Sequence, residues 1–121
     1  MTKTNGKTNP RLVALITRLK ETSRKNEAAI WRDIADRLEA PSRNYAEVNL
    51  SKLSRYAREG ETYIVPGKVL GTGALSAPVV VAALNFSSSA AEKIEKARGT
   101  CLTIEELLKK NPSGSGVRIL R

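Results

Sequence analysis

A chain of 121 residues has room for one modest hydrophobic core, and a 40% share of hydrophobic residues is enough to build it. Only 4% are aromatic, so the core must be aliphatic, and base stacking on aromatic platforms is not expected as the main device. The 21 Lys and Arg against 12 Asp and Glu leave a net charge of +9, which favours a polyanionic partner, while the absence of histidine removes the commonest general base and metal ligand.

The opening MTKTNGKTNP holds Lys3 and Lys7 among Thr, Asn and Gly, with no acid, which is the composition of a disordered basic arm over residues 1–9. Residues 10–121 are expected to form a single domain. Asn9 can cap a first helix and Pro10 suits its first position, with Leu12, Leu15, Ile16 and Leu19 as the apolar face. Arg11, Arg18 and Lys25 recur at every seventh position, so they form a basic ridge on the flank of that face, with only Glu21 as a nearby acid. The ridge is a candidate phosphate contact.

A second helix follows in NEAAIWRDIADRLEAP, with Ile30, Trp31, Ile34 and Leu38 inward. Arg32 can meet Asp36 and Asp33 can meet Arg37 on its outer face. Local pairing explains Asp33 and Asp36 without a catalytic role. Pro41 ends the helix, Arg43 and Asn44 fall in a turn, and Val48 to Leu50 predict a short strand. Asn49 or Ser51 then caps a helix that carries Leu53, Tyr56 and Ala57 inward, with Gly60 as its stop and Lys52, Arg55 and Arg58 outside.

The stretch VPGKVLGTGAL, residues 65–75, invites a nucleotide-loop reading and fails it. A P-loop needs Gly-Lys-Ser/Thr opening a helix, and here Gly67-Lys68 is followed by Val69. The dinucleotide fingerprint needs a third glycine where Ser76 stands, and a strand follows instead of a helix. The remaining expectation is two turns, at Val65-Pro66-Gly67 and Gly71-Thr72-Gly73, around a short strand from Lys68 to Leu70. Lys68 and Thr72 beside the glycines then make the loop a candidate contact for a nucleic-acid backbone.

PVVVAALNF is a continuous apolar run, the pattern of a strand buried on both faces. A helix follows, with Ser89 and Glu92 as a capping box and Gly99 as its end. Cys101 and Leu102 predict another short strand. Cys101 is the sole cysteine, so it can form no intrachain disulfide and is expected as a small buried apolar residue. Thr103 and Glu106 repeat the capping box for a last helix ending at Lys109, Lys110, Asn111 and Pro112, before an acid-free tail with Arg118 and Arg121 around a strand from Val117 to Leu120. From Val48 onward strand and helix alternate, which predicts an α/β layout with a small, at least partly parallel sheet after a helical N-terminal portion. No apolar run is long enough to span a bilayer and no signal-peptide layout opens the chain, so a soluble intracellular protein with no membrane partner is expected.

Taken together and in order, IWRDIADRLEAPSRNYAEVNLSKLSRYA, VPGKVLGTGAL, PVVVAALNFSSSA, TIEELLKKNPSG and VRIL resemble the archaeal form of the L-eighteen-e family of large-subunit ribosomal proteins, a relative of bacterial ribosomal protein uL-fifteen. The resemblance runs from about Asn9 to the last residue. It implies an irregular superhelix of β-β-α turns, no enzymatic activity, no cofactor, metal or small-molecule substrate, and a cytoplasmic place in the ribosome, on large-subunit ribosomal RNA beside neighbouring large-subunit proteins. Carried over by position, the family's basic and glycine motifs fall on Arg43 and Asn44, on Gly67, Lys68, Gly71, Thr72 and Gly73, and on Asn111 to Gly114. The rival readings are a free RNA-binding regulator and a nucleotide-dependent enzyme using the Gly71 loop.

Overall fold

The computed structural model describes residues 9–121, so most of the expected arm, including Lys3 and Lys7, lies outside the described residues. Helix α1 (Pro10–Asn26) begins as its sequence dictates, with the Asn9 side chain accepting from the backbone N–H groups of Arg11 and Leu12. Glu27 takes a left-handed turn, φ 51°, and the chain reverses into α2 (Ala29–Glu39). Trp31, Ile34, Ala35 and Leu38 of α2 pack with Leu15, Ile16 and Leu19 of α1. Trp31 is fully buried, and its indole N–H donates to the Pro112 carbonyl at 2.8 Å, which satisfies the polar end of an otherwise apolar side chain.

A single 3-10 turn, Ser42–Asn44, leads into an alternation of β1 (Ala46–Asn49), α3 (Leu50–Tyr56), β2 (Thr62–Leu70), β3 (Val80–Phe86), α4 (Ser88–Lys96), β4 (Thr100–Thr103), α5 (Ile104–Lys110) and β5 (Val117–Ile119). The sheet order is β1-β2-β3-β4. On its outer side β2 pairs with β5 along Thr62–Ile64 and with β1 along Gly67–Leu70. All pairings among the described strands are parallel, so the expected partly parallel sheet is parallel throughout them. The expected β-β-α succession occurs once in full, as β2, β3 and α4.

Side-chain alternation splits the core into two layers. Ile64, Ala82 and Leu102 face α1, α2 and α5, whereas Tyr63, Val65, Val81 and Ala83 face α3 and α4. The apolar run PVVVAALNF is therefore explained: β3 is covered on both sides, so neither face needs polar residues. The second capping box is present as expected, with Thr103 accepting from Glu106 and Glu106 returning to the Thr103 N–H.

Several local expectations are corrected. No turn interrupts Val65-Pro66-Gly67, because β2 runs straight through it. The register against β3 shifts between Val65 and Lys68, so Pro66, which has no N–H to donate, sits at a bulge that needs none. Asn49 occupies the N-cap position of α3 without a side-chain hydrogen bond, and the helix closes at Tyr56, before Gly60. That early end leaves Tyr56 52% exposed and not inward. Ser87, not Ser89, caps α4, accepting from the Ala90 N–H at 3.1 Å, because β3 ends at Phe86 and the helix starts at once. After α4 it is Arg98 that adopts the left-handed conformation, φ 66°. Gly99 instead serves close approach, since a Cβ there would lie 2.6 Å from the Val79 carbonyl oxygen. Cys101 is half-buried, and burial first, then Glu95, raises its thiol pKa, so it stays a protonated thiol.

Candidate nucleic-acid interface

The glycine loop is set by a length constraint. Strands β2 and β3 are parallel neighbours joined without a helix, so residues 71–79 must return the length of β2, about 26 Å, with a fully extended reach of about 35 Å. Such a segment has little slack, and it passes the starts of α3 and α4 at very short range. A Cβ on Gly71 would lie 2.3 Å from Ser89 Oγ, and one on Gly73, whose φ is 99°, would lie 2.6 Å from the Ser51 backbone nitrogen. The Ser51 N–H donates to the Thr72 carbonyl at 3.0 Å. Lys93 Nζ donates to the carbonyls of Gly71 and Gly73 at 2.8 and 2.9 Å. The loop thus offers its carbonyls to its own protein. Gly67 belongs to the same pattern, because a Cβ on it would fall 1.9 Å from the Ala46 carbonyl oxygen on the neighbouring strand.

The basic residues divide into those engaged within the protein and those left open. Arg11 is engaged: its guanidinium donates to both Glu105 oxygens, at 2.8 and 3.1 Å, and ties α1 to α5. That bond lowers the Glu105 pKa and raises that of Arg11. Arg32 with Asp36 and Arg37 with Asp33 pair at 3.4 and 3.0 Å as expected. Arg118 pairs with Glu61 at 3.4 Å. Arg18, Lys25, Arg43 and Lys68 are exposed and form no ion pair among the described residues. The predicted row on α1 is thereby reduced from three open charges to two, Arg18 and Lys25.

Folding gathers part of the predicted set at one sheet edge. Arg43 and Lys68 line a shallow pocket with Glu47 and Asn85, and Asn44 and Arg121 line a second with Arg37 and Pro66. Ala46 of the edge strand β1 contributes to both. The Arg121 carbonyl also accepts from Lys52 Nζ, which holds the chain end against α3. Thr72 is exposed at the C-terminal end of β2, close to the start of α3. Arg118, on β5, lines a separate pocket with Arg55, Tyr56 and Arg58, three residues that sequence reasoning did not select. Their signal was present in SRYAR, two arginines around a tyrosine without an acid, but the helical period assigned Tyr56 to the core. Among the described residues no group of three or more His, Cys, Asp or Glu is placed to hold a metal ion, and no helix is long and apolar enough to cross a membrane.

The family model described as ribosomal protein 60S L18 and 50S L18e matches residues 1–121. The chain belongs to the eL18 family. Similar eL18 relatives, each described as large ribosomal subunit protein eL18, include that of Methanoregula boonei, 69% identical over 100% of both chains. That of Methanospirillum hungatei is 62% identical, also over 100% of both, and that of Haloarcula marismortui is 50% identical over 95% of this chain and 98% of its own. The eL18 family is one of ribosomal proteins and not of enzymes.

Proposed function

We propose that the chain is a structural constituent of the large ribosomal subunit, binding and stabilising folded large-subunit ribosomal RNA in the cytoplasm during translation. The match to eL18 over the whole length carries this reading. The exposed, unpaired Arg18, Lys25, Arg43 and Lys68 support it, because phosphate contacts need cations that the protein does not already neutralise. In this reading residues 10–121 act as one domain and residues 1–9, with Lys3 and Lys7, as a basic arm. The sheet edge of Arg43, Asn44, Lys68 and Arg121, with Thr72 nearby, meets RNA by shape and phosphate contact. Gly71 and Gly73 act indirectly, by letting the return segment pass α3 and α4. The protein works as a scaffold and not as an enzyme, beside other large-subunit proteins.

Sedimentation of a cell extract tests this. The tagged full chain should run with the large subunit and stay there after a salt wash. Recovery only in the light fractions would favour a free RNA-binding regulator and sink the proposal. A clear rise in thermal midpoint with ATP, GTP or NAD would instead favour the nucleotide-dependent enzyme.

A further inference from the structure

We infer that the face formed by Arg55, Tyr56, Arg58 and Arg118 is a docking site for an unstacked ribosomal-RNA nucleotide, with its base lying on the Tyr56 ring and its phosphates against Arg55 and Arg58; this rests on the ribosomal reading above. Tyr56 is the one exposed aromatic among the described residues. Trp31 and Tyr63 are buried, and Tyr45 and Phe86 are half-buried. In a chain with so few aromatic residues, a tyrosine left 52% exposed at the end of a short helix is unusual in its placement.

The surroundings are built around it. Tyr63 lies at the back of the same shallow pocket, and its single hydroxyl proton is shared between the Tyr56 carbonyl, at 2.9 Å, and the Glu61 carboxylate. The three arginines line the pocket with no acidic residue among its lining. Glu61 stands behind, bonded to the Tyr63 hydroxyl and to Arg118, whose side chain keeps 64% of its surface exposed. Arg118, already paired with Glu61, flanks the ring, and Arg55 and Arg58 are the cations left for phosphate. Arg55 and Arg58 are exposed and form no ion pair among the described residues.

The occupant that suits this face is anionic and carries a flat apolar ring. A nucleotide in a single-stranded loop or bulge supplies both, since its base stacks on an aromatic face and its phosphates meet guanidinium groups. A peptide with acidic side chains would satisfy the arginines and leave the ring uncovered, so RNA is favoured.

Binding of the full chain to a transcript of the large-subunit rRNA, followed across a salt series, tests the site. Tyr56→Ala should weaken binding roughly tenfold without changing the slope of log affinity against log salt, because stacking releases no counterions. Tyr56→Phe should bind as the native chain does. Neutralising Arg55 and Arg58 together should flatten the slope by about 1.4 units. If Tyr56→Ala lowers the thermal midpoint, Tyr56→Leu, which keeps apolar bulk without a ring, takes its place with the same expectation. Native affinity in the ring-less variants would overturn the site, as would an equal loss in Tyr56→Phe, which would assign the contact to the hydroxyl. Native RNA affinity combined with loss from purified subunits would place a neighbouring protein on this face and also overturn it. Failure of the unaltered chain to bind the transcript or to sediment with subunits would count against the ribosomal reading itself, separately from this site.

Discussion

Gly67, Gly71 and Gly73 share a residue type and a neighbourhood, yet the space beside each differs. At Gly67 a side chain meets the Ala46 backbone of the paired strand at 1.9 Å, and a strand pairing cannot yield without losing its hydrogen bonds. At Gly73 it meets the Ser51 backbone at 2.6 Å, and the positive φ adds strain of its own. At Gly71 the nearest atoms, at 2.3 and 2.7 Å, belong to the exposed side chain of Ser89, which can rotate away, although the Ala90 nitrogen follows at 3.0 Å. Chemical denaturation of the three alanine variants should therefore rank them Gly67→Ala worst, at about 3 kcal/mol or more, then Gly73→Ala at about 2 to 3, then Gly71→Ala at about 1. Equal losses at all three would remove the close-approach account of the loop.

Between elements, the pair that joins α1 to α5 makes a pH-dependent contribution whose sign is fixed by its chemistry. The Arg11 hydrogen bonds are the main cause of the lowered Glu105 pKa, with the charge of Arg18 adding a little. A carboxylate whose folded pKa is depressed stabilises the fold above its unfolded pKa and loses that contribution as pH falls through the folded value. Both side chains are partly exposed, 41% for Arg11 and 26% for Glu105, so solvent screening keeps the gain small. Glu105→Gln should thus be less stable than the native chain by about 0.5 to 1 kcal/mol at neutral pH, and the difference should vanish in strong acid. A difference that persists unchanged in strong acid would mean that packing, and not the charge pair, joins the two helices. The same bond takes Arg11 out of competition for phosphate and leaves Arg18 and Lys25 as the open members of the basic row on α1.

Over the whole molecule, the +9 charge matters less than its partition into neutralised and open groups. Arg32 and Arg37 are each held by an aspartate one helical turn away, whereas Arg18 and Lys25 have no such partner. Neutralising Arg18 and Lys25 should flatten the salt dependence of rRNA binding by about 1.4 to 1.8 units, if each meets a phosphate. Neutralising Arg32 and Arg37 should change it little. Equal flattening by the two pairs would mean that net charge alone drives association.

Local chemistry carried much of this protein in its sequence. The Asn9 and Thr103 caps, the paired charges of α2, the doubly buried run of β3 and the strand-helix alternation all arise within a few residues, where periodicity and side-chain type decide the outcome. The resemblance to a ribosomal family was legible for a related reason, since it rests on ordered motifs and not on contacts. What only the tertiary structure decided is which surface each group meets. Gly67 read as a turn until the parallel pairing with Ala46 placed it inside a strand, and Arg11 read as an open charge until folding brought Glu105 to it from the far end of the chain. Tyr56 read as core because its helix was expected to continue, and it became surface when α3 closed one turn early. Each of these depends on a partner distant in sequence or on where an element stops, and neither is encoded in the residue's own neighbours.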